Sequence, residues 1–334
     1  MHFELSDLRV FVAVAQSPSL TQGAKQAHLS VAATSARIKA LEAQLNSKLL
    51  YRGSRGSTLT PDGQLLLKHA RLILRQVDYA KNEFSERSGR LVGHIRIFSN
   101  TTSMTEFLPE VLAQFLAQHP EVSVDLQERL SRDIILGVTE GAADMGLIAG
   151  PVGAEDLNVI HYSTDRLILA VPKEHPIAIQ YQNQQQNQSK QIESTQKTLA
   201  HEIDINTYAR NGVTLLRSLA YPHIGLREGS TLYDLMNRQV NRLGKVLPLR
   251  VQTSSYEGIC RMIEAGVGVG VVPESAALRY QNTMHFDIIP LRETWALRER
   301  SILVRDLEAM PECVKELIKV ISVAGLQAEK HAQT

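Results

Sequence analysis

The chain has 334 residues, of which 43% are hydrophobic and 21% charged, and its formal net charge is +1. This length predicts two or three domains with sizeable cores. No apolar run approaches the ~20 residues that a membrane crossing needs, and MHFELSDLRV is acidic where a signal peptide would be basic, so we expect a cytoplasmic protein.

The first predicted elements are three helices that together can form a small core. Residues 5–15 place apolar side chains at helical spacing. Two shorter helices follow, residues 20–27 and 31–45, each preceded by a serine suited to cap it, Ser19 and Ser30. The short turn between them indicates a helix-turn-helix, which inserts its second helix into the major groove of DNA. An ordinary pair of surface helices is the alternative.

A basic hairpin follows the three helices. LLYRGSRGSTLT joins two β-prone pieces through Gly53 and Gly56, and Arg52 and Arg55 lie at the tip. Such a hairpin is suited to be a wing whose arginines contact phosphates or a narrow minor groove. A solvated charged turn is the alternative. Residues 1 to 90 carry 13 Lys and Arg against 7 Asp and Glu, a local charge of +6, which favours a polyanionic partner.

A long helix is predicted next, starting at Thr60 as N-cap with Pro61 in its first turn and running to about residue 88. It carries an apolar seam with alternating spacings of four and three, which predicts a dimer. Packing on the chain's own body is the alternative. The seam consists of Leu66, Ala70, Ile73, Val77, Ala80 and Phe84.

The remainder, from about residue 94, alternates strands with helices, which predicts an α/β fold with a parallel sheet covered by helices. A Gln-rich segment at about residues 180–198 holds eight glutamines and almost no apolar residues, and we expect a surface loop there. The elements before and after this segment can form two lobes.

Few motifs in the body favour catalysis or a bound cofactor. The glycines at 266, 268 and 270 follow a helix and precede a strand, the reverse of the dinucleotide-binding order. The 11 histidines lack metal-ligand spacing, and Cys260 and Cys313 form no C-x-x-C pair. We therefore expect no catalytic residue, no metal and no cofactor.

One polar cluster favours a ligand site. Asn100, Thr101, Thr102 and Ser103 lie where the first body strand ends and a helix begins. In open α/β sheets ligands bind at the carboxyl ends of strands, and hydroxyls at a helix start favour an anion. The alternative is that these residues only cap the helix and form a turn.

The chain resembles LysR-type transcriptional regulators along most of its length. The resemblance lies in DLRVFVAVA, SLTQGAKQAHLS, IKALEAQLNSKLL with its R..R...LT..G continuation, FLPEVLAQF..HPEV, EGAADMGL and MIEAGVGVGVVP. It implies a winged helix-turn-helix (residues 1–60), a linker helix that dimerises (61–90), and a two-lobed effector-binding body like that of periplasmic binding proteins (94–334). It also implies a homodimer or tetramer on a pseudo-palindromic promoter site.

The resemblance also implies site residues. The DNA-binding positions are Ser30, Val31, Ala33, Thr34, Ser35, Arg37, Arg52 and Arg55. The effector-binding positions are Thr101, Thr102, Ser131, Gly229 and Ser230, beside the cluster at Asn100 and Ser103. The chain departs from the family at Val31, Ala32 and Ala36, where many members have glutamine, proline and arginine, so the resemblance leaves its base preference open.

Together these features predict a cytoplasmic transcriptional regulator, not an enzyme, that binds double-stranded DNA and responds to a small anionic metabolite between its two lobes. Two alternatives remain at this stage: a cytoplasmic small-molecule receptor, and an α/β enzyme without a DNA role. The basic N-terminal segment argues against the receptor, and retardation of its own upstream DNA in a gel would discriminate against the enzyme.

Overall fold

The computed structural model describes residues 3–53, 56–86, 91–151, 153–193 and 212–332. These residues form an N-terminal head, a long linker helix and a body with two lobes. Among the helices in these ranges, none combines the length and the apolar content that crossing a membrane requires.

The head contains the predicted helix-turn-helix and a hairpin. Its elements are α1 (Leu5–Ala15), α2 (Leu20–Gln26), α3 (Val31–Leu45), β1 (Leu50–Gly53) and β2 (Gly56–Leu59). The Ser19 hydroxyl accepts the Gln22 N–H at 3.3 Å, and the Ser30 hydroxyl accepts the Ala33 N–H at 3.1 Å. Both predicted caps are therefore present, and side-chain oxygens fix where α2 and α3 begin. His28 makes the turn between them with a positive φ of 54°.

The helices of the head pack closely because one position lacks a side chain. A Cβ atom on Gly23 would lie 2.6 Å from the Cα atom of Val14, so only glycine permits this crossing of α1 and α2. Phe11, Ile38 and Leu41 fill the core beneath the crossing and are almost completely buried.

The linker helix α4 (Pro61–Glu86) joins the head to the body. The Thr60 hydroxyl accepts the Gly63 N–H at 2.9 Å, as the predicted N-cap requires. Ala70, predicted to lie in the dimer seam, is instead fully buried in the core of the head. That prediction was wrong because α4 also packs on its own chain, and Ala70 lies on the face that does so.

The body contains nine helices and nine strands within the described residues. In chain order they are β3 (Gly93–Ser99), α5 (Thr101–Glu106), α6 (Leu108–Gln118), β4 (Val122–Glu128), α7 (Ser131–Thr139), β5 (Met145–Ala149), β6 (Asn158–Pro172), α8 (Pro176–Glu193), α9 (Leu215–Ser218), β7 (His223–Leu226), α10 (Thr231–Arg242), β8 (Leu249–Thr253), α11 (Tyr256–Glu264), β9 (Gly270–Pro273), α12 (Glu274–Gln281), β10 (Phe286–Pro290), β11 (Leu297–Val304) and α13 (Glu312–Ala332). A 3-10 turn, Thr294–Ala296, precedes β11.

Two strands connect the lobes. The first half of β6 pairs with β11 in lobe 1, and its second half pairs with β9 and β10 in lobe 2. Lobe 1 is built on β3, β4 and β5 with α5, α6, α7 and α13, and lobe 2 on the elements from the end of β6 to β10. We call β6 and β11 the hinge strands.

The sheet is mixed, whereas the sequence predicted a parallel one. β3 runs parallel to β4 and β5, as βαβ connections require, but β11 is antiparallel to both β5 and β6. The prediction fails at β11, which lies between β5 and β6 and runs antiparallel to both, and at β9 and β10, which run antiparallel to β6.

The segment predicted as a Gln-rich loop is helical through Glu193, and residues 194–198 lie outside the described residues. Glutamine is a good helix former, and an exposed helix does not need an apolar face on every turn. Low apolar content therefore indicated exposure correctly but not the absence of secondary structure.

Candidate functional site

The exposed side of α3 is the candidate DNA-reading surface. Ser30, Val31, Arg37 and Lys39 are exposed there, whereas Ala33 and Ser35 are half-buried. Thr34 is completely buried against the head core, so its prediction as a DNA contact was wrong. Its side chain points to the opposite side of the helix, on the same face as Ile38 and Leu41.

Arg37 has a partner within the head. Its Nη1 atom lies 2.7 Å from Asp7 Oδ1 and 3.0 Å from Ser6 Oγ, both on α1. Its side chain remains 42% exposed, so the guanidinium can still face solvent while α1 holds its orientation. Arg37 therefore ties α3 to α1 at the surface where the chain is expected to meet DNA.

The predicted wing is an antiparallel hairpin. Leu50 pairs with Leu59, and Gly53 pairs with Gly56 at the end nearest the turn. The backbone of Arg52 lies in β1, opposite Ser57. Arg55 lies outside the described residues.

The linker helix exposes part of its predicted seam. Leu66 and Val77 are half-buried, whereas Ala80 is exposed. Ile73 is 41% exposed and Phe84 70%. Leu65, which the seam omitted, is also 57% exposed. Leu66 packs against the head core, as Ala70 does, so the part of the seam that remains as a possible contact is Ile73, Val77, Ala80 and Phe84.

The opposite face of α4 is fixed to lobe 1 by a buried ionic network. Arg75 Nε lies 3.1 Å from Asp144 Oδ1, and both side chains are at most 3% exposed. Tyr79 donates to the same carboxylate oxygen at 2.7 Å, and the Arg96 N–H donates to the other oxygen at 2.7 Å. Burial and the Asp144 carboxylate together raise the pKa of the Tyr79 hydroxyl, so it remains a donor. The network makes α4 and lobe 1 a single unit.

The polar cluster at the start of α5 is buried where the two lobes meet. The Asn100 side chain accepts the Ser103 N–H at 2.9 Å and caps the helix. Thr101 donates to Glu128 Oε1 at 2.7 Å. The hydroxyl of Thr102 lies 2.8 Å from that of Tyr256, which begins α11 in lobe 2. Part of the cluster therefore caps the helix, and part spans the cleft between the lobes.

The other predicted effector residues also meet across the cleft. Ser131 Oγ in lobe 1 lies 2.9 Å from Thr231 Oγ1 in lobe 2. Ser230 caps α10 by accepting the Tyr233 N–H at 3.2 Å. Gly229 has a positive φ of 83°, and a Cβ atom there would lie 3.3 Å from Leu130 of lobe 1. The structure thus brings the predicted effector residues together from both lobes.

An arginine bridges the lobes at another edge of the cleft. Arg279 on α12 lies 2.7 Å from Glu110 Oε1, and its Nε lies 3.3 Å from Glu106 Oε2. Glu106 has a buried carboxylate, and desolvation is the main reason that its pKa is raised. In this arrangement the lobes are closed on each other by direct contacts.

Several cleft residues were not predicted from the sequence. Tyr256, Glu128 and Arg279 all contact lobe 1 residues or the predicted cluster. Tyr256 could have been found, since it follows β8 at a strand-to-helix junction like that of Thr101 after β3. Arg279 lies within a helix, and no strand-to-helix junction in the sequence marks its position.

The two cysteines lie in separate cores. Cys260 is buried in the core of lobe 2 and Cys313 in the core of lobe 1, so they do not pair with each other. Burial raises the pKa of the Cys260 thiol to about 12, which keeps it protonated and unreactive. The described residues contain no group of three or more His, Cys, Asp or Glu side chains that could hold a metal ion.

Comparisons with known proteins agree with this architecture. The family model "Bacterial regulatory helix-turn-helix protein, lysR family" matches residues 5–64, and "LysR substrate binding domain" matches residues 88–185 and 207–324. A probable RuBisCO transcriptional regulator of Emiliania huxleyi is 29% identical over 280 residues, 82% of this chain and 80% of the relative. A regulator of the same name from Synechocystis sp. is 26% identical over 309 residues, 90% of this chain and 81% of the relative.

A solved structure shows the same fold. The full-length structure of an OxyR variant from Pseudomonas aeruginosa has a TM-score of 0.62 at 20% sequence identity, with 97% of each chain covered. The family models match the head and most of the two-lobed body, well over half of the chain. The chain therefore belongs to the LysR family, and it is a DNA-binding transcriptional regulator with an effector-binding domain rather than an enzyme.

Proposed function

We propose that this regulator is controlled by a small anionic metabolite that binds between the two lobes of the body. The observation that carries the proposal is the direct hydrogen bond between Thr102 of lobe 1 and Tyr256 of lobe 2. Both hydroxyls are buried, and each can donate to a ligand oxygen if the lobes separate. A ligand that takes up these hydroxyls would replace the bond between the lobes and so change how the lobes pack.

The DNA contacts proposed for the head are Ser30, Val31, Ala33, Ser35 and Arg37 on α3, with Arg52 and Arg55 of the wing. The exposure of α3 supports this assignment, and Thr34 is excluded by its burial. Two heads are needed for a pseudo-palindromic site, because each recognition helix reads one half-site. The exposed apolar face of α4, with Ile73 and Val77, is the proposed contact between two copies.

The effector site is tested by pairing a cleft variant with a matched control. Thr102→Val removes the hydroxyl that meets Tyr256 and keeps the shape of the side chain. Thr139→Val makes the same change on α7, where the hydroxyl donates to the Ile135 carbonyl oxygen of the same helix. A panel of organic acids and phosphorylated metabolites is screened by thermal shift, because a ligand that binds the folded state raises its Tm.

We expect at least one anion in the panel to raise the Tm of the unmodified chain and to change its retardation of its own upstream DNA. Thr102→Val should reduce that response severalfold, whereas Thr139→Val should keep it. An effector whose response is the same in both variants would refute the assignment of the cleft hydroxyls.

A further inference from the structure

Buried hydrogen-bond donors without partners collect at the floor of the cleft. Among the described residues, the buried side-chain atoms without a hydrogen-bond partner include three donors, Ser163 Oγ, Arg298 Nε and Arg300 Nε, and both carboxylate oxygens of Glu106. All three donor residues lie on the hinge strands, and none is more than 5% exposed. Leaving a buried polar group unpaired is unfavourable, so each such group calls for an explanation such as a bound ligand, ion or water.

The three donors face the same direction. Ser163 on β6 is the cross-strand partner of Arg300 on β11, and Arg298 pairs in the same way with Asp165. Because directly paired residues and those two positions along share one face of a sheet, the three side chains lie on the same face. The backbone thus directs three donors to one place.

Arg300 is held by aromatic rings rather than by a carboxylate. Its guanidinium carbon lies 5.3 Å from the centre of the Phe107 ring and 5.5 Å from that of Tyr162. The two rings are themselves 5.2 Å apart. Such contacts orient a guanidinium and leave its N–H edge available, the edge that matches an oxyanion. No ion pair joins Arg300 to an acid among the described residues.

The nearby acids already have cationic partners. Asp165 is ion-paired with Arg298 through Nη2, which leaves Nε of that arginine available. Glu106, next to Phe107, lies against Arg279. The positive charge of Arg300 is therefore the one on this floor that lacks a carboxylate in the described structure.

We infer that Arg300, with Arg298 Nε and Ser163 Oγ, receives the oxyanionic group of the effector, whether a carboxylate, a sulfate or a phosphate. This inference rests on the proposed function, since it names the part of the cleft that holds the anion. Tyr162, which contacts the Arg300 guanidinium, also lies 2.9 Å from the Ser103 hydroxyl. The anion site is thus continuous with the polar cluster at the start of α5.

The test measures the thermal shift that acetate, sulfate and phosphate produce in the full chain, each against chloride at the same ionic strength. The variants are Arg300→Gln and, as a matched control, Arg261→Gln on the exposed surface of α11, where the side chain is 65% exposed. We expect the unmodified chain and Arg261→Gln to respond alike. Arg300→Gln should need at least tenfold more anion for the same shift, because a charge-assisted bond is lost. The anion with the strongest response identifies the chemical group.

Two further variants keep the test decisive if Arg300→Gln does not fold. Arg300→Lys keeps the charge but loses the planar N–H edge, and Ser163→Ala removes one donor with little change in volume. Each should weaken the anion response severalfold. A full response in every folded variant would overturn this inference and leave the proposed anionic effector intact. No response beyond chloride in the unmodified chain would overturn both.

Discussion

Asp144 holds the linker helix to the body, and its replacement by asparagine tests that connection directly. The carboxylate accepts bonds from Arg75, Tyr79 and the Arg96 N–H, and its side chain is fully buried. Asparagine keeps the size and one acceptor oxygen, but it removes the charge that balances Arg75. The matched control is Glu140→Gln, which removes the charge facing Arg71 at 3.2 Å in a partly exposed pair.

The expected magnitudes differ because the two pairs differ in burial. Removing one partner of a buried ion pair costs about 3–5 kcal/mol, since the remaining charge is left in a poorly solvated site. Arg75 keeps contacts to the carbonyl oxygens of Gly141 and Ala142, 3.3 and 3.5 Å away, so the lower part of that range is expected. The pair of Arg71 and Glu140 is partly exposed and is worth about 0–1 kcal/mol.

The assay compares urea unfolding midpoints by far-UV circular dichroism with hydrogen exchange in α4. Asp144→Asn should lower the midpoint far more than Glu140→Gln and should speed exchange in the half of α4 that carries Arg75 and Tyr79. If the two variants lose equal stability, the buried network does not hold the linker as we reason. Unchanged exchange in α4 would contradict its attachment to lobe 1.

Three further predictions concern assembly, DNA and pH. Ile73→Asp combined with Val77→Asp places charges in the exposed face of α4 and should give monomers by light scattering; persistent dimers would refute the proposed contact. Arg52→Ala and Arg55→Ala should weaken binding to all DNA sequences and lower the salt dependence by about one counterion per lost phosphate contact; unchanged affinity would contradict the wing assignment. Burial lowers the pKa of His223 from 6.5 to about 4, so folding favours its neutral form. Stability should therefore be complete above pH 6.5 and fall by about 3 kcal/mol as the pH drops to 4, a loss that His223→Gln should reduce.

The head was predictable because its signals are local. Ser19, Ser30 and Thr60 each accept the backbone N–H expected of a cap, and helix boundaries follow from such short-range bonds. The face of each helix was harder to assign. By its spacing, Thr34 could belong to the DNA-reading face or to the core face of α3, and Ala70 could belong to the dimer seam or to the core face of α4. Only the packing of α1, α3 and α4 decides that both side chains are buried.

The cleft was predictable only in part, for a related reason. The cluster at Asn100–Ser103 is contiguous and follows a strand, so topology indicates it. Its partner Tyr256, and Arg300 of the proposed anion site, lie more than 150 residues later, and no local rule links them to the cluster. One signal was present in LRERSILV, where two arginines alternate within a strand that is otherwise largely apolar. Charges at buried strand positions indicate function more strongly than exposed ones do.

The contacts described here imply which part of the molecule moves when an effector binds. Strand β3 carries Arg96, which bonds Asp144, and ends at Ser99, three residues or about 10 Å further on, beside the effector cluster. The linker helix, β3 and the start of α5 therefore form one rigid unit.

Lobe 2 meets that unit through Thr102–Tyr256, Ser131–Thr231 and the Arg279 contacts, all exchangeable hydrogen bonds or ion pairs. In the proposed function, an anion on the hinge strands would reposition lobe 2 while the two DNA-binding heads stay fixed to lobe 1. A rigid lobe 1 transmits no conformational change along α4 to the head. Any effect on DNA binding would then depend on how lobe 2 packs against the other protomers of the oligomer.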